Sequence, residues 1–379
     1  MSFTRELKNN IVNLYTRLYS LSHPIEKKIL FDSFGGKQYS DSPRFICERM
    51  HELYPEYELV WVNNSTSDQF RIVPDYVKII RREKLSFYQT LATSFCYVTN
   101  ENINNNIYKR KNQFFIQTWH GDIPLKKIIY DVSDKLPYKI MDSKLDDLCI
   151  SGSNLGESIY RSAFRYRGEV LKKGMPRNDQ LNECSQEKVK IIKKRLGIEE
   201  EYKIVLYAPT YRDNLQSIQK SFVDLNRVVR KLEENGEKWC CITRAHSASK
   251  GIEYDVQSKI LDLTNYPDMA DLLLVSDLLL TDYSSCAGDF ILKKKPVILL
   301  FFDQEEYNAK CRGFNFDPTE AGFVIAYSND ELIDILAQKD ETFFAHNCEE
   351  LIKYFGIIRN IDSAKDICDR IDSFYQKKY

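Results

Sequence analysis

Short apolar runs alternate with helical patterns along most of the chain. In the first half, the apolar runs predict strands over residues 28–33, 58–62, 77–80, 96–99, 114–118 and 147–151, with helices over 43–53 and 85–94. In the second half, strands are predicted over residues 203–208, 239–243, 278–281 and 296–302, with helices over 222–234 and 268–275. Strands that alternate with helices are typical of a mostly parallel sheet covered by helices. The pattern therefore predicts an α/β fold with two similarly built halves.

The length of 379 residues also favours two domains. We expect an N-terminal domain over residues 1–170 and a C-terminal domain over residues 171–355. The last segment, residues 356–379, has an amphipathic pattern that predicts a helix, which could pack back on the N-terminal domain. The chain has no run of about 20 apolar residues and its polar start is unlike a signal peptide, so we expect a cytoplasmic protein without a spanning helix.

Charge and residue counts argue against some classes of function. The chain has 54 basic and 55 acidic residues, and general nucleic-acid binders instead neutralise phosphates with an excess of basic side chains. The ten cysteines form no CxxC pair, and most lie inside apolar runs, as buried reduced thiols do. With five histidines a multi-histidine zinc site is not expected, and we predict neither a metal site nor a cofactor.

Two predicted strands in the first half end in residues with candidate chemistry. A glycine pair, Gly35 and Gly36, follows the first strand, where it lets the backbone approach a ligand closely; a plain tight turn is the alternative. The sequence QTWHG places His120 at the end of another strand. Histidine has an ordinary pKa near 6.5 and can accept a proton at neutral pH, so His120 is either a catalytic base or a structural histidine at a strand end.

Four strand ends in the second half carry polar or basic residues. Residues 208–214 place an arginine directly after a strand, where its planar fork suits phosphate oxygens, although a surface Arg–Asp pair is the alternative. Residues 243–247 repeat the pattern of a strand followed by a basic residue and histidine. Residues 281–285 end a strand and open a helix, so they predict either an anion-binding helix start or simple capping. The carboxylates in residues 302–307 could accept hydrogen bonds from ribose hydroxyls, or they could lie in the first turn of a solvated helix. Together these ends predict a cleft for a phosphorylated substrate that needs no metal.

In this order, the clusters resemble the CDP-glycerol glycerophosphotransferase family of teichoic acid and capsule synthesis. The similarity runs from about residue 31 to 316 and rests on six segments: SFGGKQYSDSPR, QTWHG with PLKK, GMPRND, YAPTYRDN, TDYSS and DQEEY. The resemblance implies a GT-B fold, with two Rossmann-like domains facing across a central cleft and the nucleotide held mainly by the C-terminal one. It also implies transfer of a polyol phosphate, most often glycerol phosphate, from CDP-glycerol or another CDP-polyol to a hydroxyl of a glycan or lipid-linked acceptor, with release of CMP.

The resemblance also assigns site residues. His120 is the expected base, Asp41 an alternative base or an orienter of His120, and His246 a further catalytic residue that faces the pyrophosphate. The residues expected to bind the donor are Arg212, His246, Thr281, Asp282, Ser284, Ser285 and Glu306. Two other functions stay open: a GT-B glycosyltransferase that uses a nucleotide-sugar, and a non-catalytic scaffold of a capsule-assembly complex.

The sequence departs from the family pattern at three places, of which the first and third concern the acceptor and the polyol more than the reaction. Asp122 and Ile123 stand between Gly121 and the following proline, where the family usually has threonine and then proline. Ser247 replaces the usual proline after a histidine. Gly288 stands where the helix after TDYSS usually carries a bulky aromatic side chain.

The resemblance implies an acceptor at the cytoplasmic face of the membrane, so we expect a peripheral protein that contacts an anionic membrane surface. Apolar residues and lysines alternate between residues 124 and 141, and this spacing predicts an interfacial helix or pair of helices. Lys126, Lys127, Lys135 and Lys139 would meet the anionic surface. The alternative is a core-packed helix with solvated lysines.

Overall fold

The computed structural model describes residues 3–64, 73–82, 84–104, 106–136, 140–210, 223–245, 260–304, 307 and 313–379. The helices there are α1 (Phe3–Ser22), α2 (Asp41–Leu53), α3 (Leu85–Thr93), α4 (Asp142–Leu145), α5 (Asn154–Ser162), α6 (Asp179–Glu183), α7 (Gln186–Leu196), α8 (Leu225–Glu233), α9 (Met269–Val275), α10 (Cys286–Phe290), α11 (Pro318–Ala321), α12 (Asn329–Gln338), α13 (Glu341–Phe355) and α14 (Ser363–Lys378). The strands are β1 (Glu26–Asp32), β2 (Glu58–Val62), β3 (Lys78–Ile80), β4 (Ser94–Thr99), β5 (Phe114–Gln117), β6 (Leu148–Ser151), β7 (Glu169–Lys172), β8 (Lys203–Ala208), β9 (Trp239–Thr243), β10 (Ile260–Asp262), β11 (Leu278–Thr281), β12 (Val297–Leu300) and β13 (Ile325–Ala326).

The chain divides into two compact units. The first comprises Met1–Asp122, Ile129–Asp179 and Ile358–Tyr379, and the second comprises Ile123–Ile128 and Gln180–Ile357. The C-terminal helix α14 is therefore part of the first unit. It packs on α2, and Arg49 of α2 makes an ion pair of 2.6 Å with Asp362 at the start of α14.

In the first unit, the described strands form one parallel sheet in the order β3-β2-β1-β4-β5-β6-β7. The central strand β1 is buried on both faces. Its Ile29 and Phe31 pack in a cluster with residues of α2 and α14, whereas Leu30 between them packs in a second cluster with residues of α3. Because alternate residues of a strand point to opposite faces, a strand covered on both sides is apolar throughout. This burial explains the continuous apolar runs that predicted the strands.

The second unit repeats this arrangement. Its described strands form a parallel sheet in the order β10-β9-β8-β11-β12-β13. Numbered in chain order within each unit, the strands of the second sheet have the order 3-2-1-4-5-6, which is that of a Rossmann fold. The first sheet has the same order and adds a seventh strand, β7, at the end. In such sheets ligands bind at the carboxyl ends of the strands, so the residues that follow β1, β5, β8 and β11 are candidate ligand-binding residues.

The stretch from residue 124 to 141 is not the interfacial helix that its spacing predicts. Its described part has no α-helix, only a short 3-10 turn at Ile129–Asp131, and Leu125 and Ile140 are buried. Residues 123–128 belong to the second unit, where the Asn315 side-chain amide donates to the carbonyl of Pro124 at 2.8 Å. The helix prediction is therefore wrong in the described residues, because the apolar side chains are fixed by tertiary contacts and not by helical periodicity. Lys139 lies outside the described residues.

Among the residues that the structure describes, no helix has the length and apolar character needed to cross a bilayer.

Candidate active site

His120 lies at the carboxyl edge of the first sheet, three residues after β5 ends. Its Nδ1 atom is 2.7 Å from the carbonyl oxygen of Asn100, the residue that follows β4. A carbonyl can only accept a hydrogen bond, so in the neutral ring the proton is on Nδ1 and the lone pair is on Nε2. The ring is half-buried, with the Trp119 ring centroid 3.9 Å and the Phe34 ring centroid 5.4 Å away. This arrangement leaves Nε2 as the atom that can accept a proton.

The surroundings of His120 keep its ring neutral. Burial is the largest effect and lowers its pKa below the ordinary value, because a charged imidazolium loses solvation. The hydrogen bond to the Asn100 carbonyl and the negative charge of Asp41 act in the opposite direction, and the positive charge of Arg177 lowers the pKa further. The net shift is downward, so at neutral pH the histidine is uncharged and able to act as a base.

Asp41 is held by a buried arginine. Its Oδ1 and Oδ2 atoms lie 3.3 Å and 3.4 Å from Nη1 of Arg177, and both side chains are almost fully buried. Asp41 is the first residue of α2 and has a φ of 61°, and its Oδ1 accepts from the Ser42 N–H at 2.5 Å. A carboxylate held on two sides in this way is suited to stabilise charge and to orient its neighbours.

Arg177 had no assigned role in the sequence, although it stands in the GMPRND segment. It lies in a 3-10 turn, Pro176–Asn178, shortly after β7 at the same carboxyl edge of the first sheet. The motif was the available signal, but its pairing with Asp41 spans 136 positions of sequence. Asn100 was missed for the same reason, since nothing in its local sequence indicates that its carbonyl fixes the tautomer of a distant histidine.

The loop after β1 is tied to this edge through Asn100. The Asn100 side chain accepts from the Phe34 N–H at 2.8 Å and donates to Ser33 Oγ at 3.3 Å. Gly36 has a φ of 80°, and a Cβ there would lie 3.0 Å from a Val62 methyl and 3.2 Å from the Asn64 backbone nitrogen. The glycine is therefore required by the close approach of two backbone segments, which holds the Phe34 ring against His120.

The first departure from the family pattern, Asp122, joins two strand ends. Its Oδ1 atom accepts from Ser151 Oγ at 2.9 Å and from the Gly152 N–H at 3.0 Å, both at the end of β6. Burial raises the pKa of Asp122, and hydrogen bonds from Ser153, Gly152 and Ser151 oppose that rise. A Cβ at Gly156 of α5 would lie 2.1 Å from this Oδ1, so only glycine there leaves room for the carboxylate.

Two other departures, Ile123 and Gly288, are in contact with each other. Both lie in the second unit, and a Cβ at position 288 would be 2.4 Å from Cβ and 2.7 Å from Cγ1 of Ile123. Because real Cβ atoms do not approach this closely, a bulky side chain at 288 and an isoleucine at 123 exclude each other in this arrangement. The inserted residue therefore occupies the space that the missing side chain would need.

At the carboxyl edge of the second sheet, Thr281 and Asp282 connect the ends of β8 and β11. Thr281 Oγ1 donates to the Ala208 carbonyl at 2.6 Å. The Asp282 Oδ1 atom accepts from the N–H and the hydroxyl of Thr210, at 2.9 Å and 2.6 Å, and from the Tyr283 N–H at 2.6 Å. Both side chains are buried. They hold the edge together, so any contact they make with a ligand is in addition to that role.

Ser284 and Ser285 differ from this pair because they are half-buried. Ser285 caps α10 without a side-chain hydrogen bond to its backbone, whereas Ser284 Oγ accepts from the Cys286 N–H at 3.3 Å. The structure therefore brings Thr281, Asp282 and the two serines together at one strand end. The predicted donor-binding residues Arg212, His246 and Glu306 lie outside the described residues.

Comparison with known proteins agrees with this architecture. The model of the CDP-glycerol:poly(glycerophosphate) glycerophosphotransferase family matches residues 15–372. The teichoic acid poly(glycerol phosphate) polymerase of Bacillus subtilis (strain 168) is 32% identical over 361 residues, which cover 88% of this chain and 47% of that protein. The chain thus spans about half the length of that relative. A protein of the same name from Bacillus spizizenii is 31% identical over 388 residues, and the match covers 97% of this chain and 97% of that protein.

Among solved structures, that of the wall teichoic acid polymerase TagF superposes with a TM-score of 0.84 at 28% identity, covering 99% of this chain and 97% of that one. This likeness confirms the α/β fold that the sequence pattern predicts and the GT-B type that the family resemblance implies. With a family model that extends over nearly the whole chain, this protein belongs to the CDP-glycerol:poly(glycerophosphate) glycerophosphotransferase family.

Proposed function

We propose that this protein transfers glycerol phosphate from CDP-glycerol to a hydroxyl of a glycan or lipid-linked acceptor in teichoic acid or capsule synthesis. The family membership and the names of the relatives support the reaction class, and one TagF structure was obtained after a soak with CDPG. The observation that supports the proposal is the state of His120: it is a neutral histidine whose Nδ1 donates to the Asn100 carbonyl, which leaves the lone pair of Nε2 able to accept a proton.

In the proposed reaction, the acceptor oxygen forms a bond to the phosphorus atom that bears the glycerol. The bond from that phosphorus to the bridging oxygen of the pyrophosphate breaks, and CMP leaves with the electron pair. The acceptor proton goes to Nε2 of His120. Asp41 and Arg177 form an ion pair in this part of the first unit. Burial lowers the pKa of His120, and the charges of Asp41 and Arg177 shift that pKa in opposite directions.

The second unit is proposed to bind the nucleotide. Ser284 and Ser285 would offer hydroxyl and backbone N–H groups to phosphate oxygens near the start of α10, and the hydrogen bonds of Thr281 and Asp282 support this role because they fix that segment. Arg212 and His246 are proposed to neutralise the leaving phosphate. Glu306 is proposed to accept a hydrogen bond from a ribose hydroxyl. Arg212→Ala should weaken CDP-glycerol binding by about 1.5–3 kcal/mol, the usual contribution of a hydrogen bond to a charged group, and calorimetry would measure it.

The test of the proposed function is the identity of the released nucleotide. The protein is incubated with CDP-glycerol, CDP-ribitol or UDP-glucose and an acceptor glycan, and the products are separated by chromatography. We expect CMP from CDP-glycerol and no nucleotide from UDP-glucose. Release of UDP would instead identify a glycosyltransferase, and no turnover of any donor by the folded protein would favour a non-catalytic role.

We further propose that the protein works as a peripheral protein at the cytoplasmic face of the membrane, where a lipid-linked acceptor would be reached. The segment that sequence spacing suggested for this contact is divided between the units: residues 124–128 belong to the second and the residues from 129 onward to the first. Its Leu125, Ile129 and Ile140 side chains are buried. The surface that fits the role lies elsewhere.

A further inference from the structure

Helix α1 carries a row of large apolar side chains on its outer face. Leu7, Ile11, Leu14, Leu18 and Leu21 are 52%, 60%, 58%, 57% and 79% exposed. Their spacing of four and three residues places them on one side of the helix. We call these five residues the α1 stripe. A contiguous apolar face of this kind on a protein surface marks an interaction site.

The face of α1 that is turned to the rest of the first unit mixes polar side chains with the half-buried Val12 and Tyr19. Thr16 and Ser20 are buried, and the helix packs against α3. Tyr15 of α1 accepts a hydrogen bond of 2.8 Å from Gln89 of α3. A surface helix normally buries its apolar stripe and exposes its polar face. In α1 that orientation is reversed, so the core of the unit does not account for the leucines.

Charge distinguishes between the two kinds of partner that could cover the stripe. Exposed Lys8 and Arg17 flank it on opposite sides, and Glu6 is the only acidic residue in the sequence of α1. A second copy of the helix would bring apolar residues together but would offer no row of acidic residues to the two cations. An anionic lipid surface would contact both the apolar stripe and the two cations, because the apolar side chains enter the boundary of the acyl chains while the cations meet the headgroups.

We propose that α1 is a lipid-binding helix that attaches the first unit to an anionic membrane surface through the α1 stripe, Lys8 and Arg17. This attachment deepens the proposed function, since it would hold the transferase where a lipid-linked acceptor is available. It also moves the membrane contact from residues 124–141 to the start of the described chain. The attachment does not depend on catalysis and can be measured separately.

The experiment uses the full chain and vesicles of phosphatidylcholine alone or mixed with phosphatidylglycerol, separated by flotation. The wild type should bind the anionic vesicles at low salt, and binding should fall as salt screens the charges. The triple variant Ile11→Gln, Leu14→Gln, Leu18→Gln should lose binding by about tenfold or more, because the apolar face supplies most of the interaction. Glutamine is a good helix former, so an unchanged melting temperature is expected.

A matched control replaces two other exposed apolar residues, Ile191→Gln and Ile361→Gln, which are 52% and 67% exposed and lie outside α1. This variant should bind vesicles like the wild type. Lys8→Glu with Arg17→Glu should remove the preference for anionic over neutral vesicles.

Three results would overturn the proposal. The first is that the wild type does not float with anionic vesicles at low salt. The second is that the control variant and the stripe variant lose vesicle binding equally. Alternatively, light scattering could show a wild-type dimer that the stripe variant abolishes without any vesicle binding, which would assign the stripe to a second copy. Failure of the proposed function would look different: vesicle binding would persist while CDP-glycerol yields no CMP with any acceptor.

Discussion

The two sheets have the same order over their first six strands, but the polar residues at their carboxyl edges make different contacts. At the first edge, the Asp41–Arg177 ion pair is buried, His120 is half-buried beside it, and Asp41 and Trp119 have φ values of 61° and 51°. At the second edge, neutral and acidic side chains tie neighbouring strands together and leave Ser284 and Ser285 partly exposed. Left-handed backbone at residues other than glycine costs free energy and collects at functional sites. The first edge therefore holds a neutral histidine among buried charged groups, whereas the second leaves two hydroxyl groups partly exposed.

Removing the base tests the first edge most directly. His120→Ala should reduce turnover about 10²–10⁴-fold, the usual contribution of a general base, while CDP-glycerol affinity and the melting temperature stay at wild-type values. Steady-state kinetics, calorimetry and thermal melting measure the three quantities. His346→Ala, at an exposed histidine on α13, is the matched control and should keep full activity. Full activity in His120→Ala would transfer the role of base to Asp41.

Filling the glycine at the second edge should destabilise that unit. Gly288→Ala places a Cβ 2.4 Å from Cβ of Ile123, and such overpacking costs about 1–3 kcal/mol. Ile123→Gly should relieve the clash, so the double variant should be more stable than the sum of the two single changes predicts. Thermal and urea unfolding of the four proteins give the coupling. Strict additivity would show that the two departures are independent.

The buried carboxylate at the second edge should matter for stability. Asp282→Ala leaves the N–H groups of Thr210 and Tyr283 without this acceptor, which should cost about 1–3 kcal/mol in unfolding free energy. Urea unfolding measures the loss. A variant as stable as the wild type would mean that Asp282 does not hold the strand ends and that its role is in ligand binding.

The exposed serines at the same edge should show the opposite behaviour. Ser284→Ala is expected to leave the melting temperature unchanged and to weaken CDP-glycerol binding by about 0.5–1.5 kcal/mol, the contribution of one neutral hydrogen bond. Calorimetry with CDP-glycerol measures the affinity. If Ser284→Ala melts earlier and binds the donor normally, the serine is a capping residue.

The smallest expected effect is a displacement of the pH profile at the first edge. Activity should fall as pH decreases through the lowered pKa of His120, because only the neutral ring accepts a proton. Asp41→Asn removes a charge that raises this pKa, so the acid limb should move to lower pH. Arg177→Met removes a charge that lowers it, so the limb should move to higher pH. The logarithm of kcat/KM against pH, recorded on variants that remain folded, would show both shifts; movement in the same direction would contradict this electrostatic account.

The sequence allowed the fold class, most of the strands in both sheets and the position of His120 at a strand end to be predicted. Buried parallel strands need continuous apolar runs, and residues that follow such runs lie at the carboxyl edge whatever the tertiary detail. Three of the short strands were not predicted, although the three-residue β3 was. Strands β7, β10 and β13 are two to four residues long, and β7 and β10 are only partly buried, so they lack an apolar run that could be recognised.

Only the tertiary structure decided which distant residues meet. Arg177 reaches Asp41, and Ile123 meets Gly288, because strand order and register bring together loops that are far apart in sequence. Two departures that are separate in the sequence are thus one packing arrangement. The direction in which α1 faces is also a tertiary property. This helix was not predicted from the polar start of the chain. The exposure of its apolar row and the burial of Thr16 and Ser20 show that the apolar side is turned outward, since periodicity identifies a face but not what lies against it.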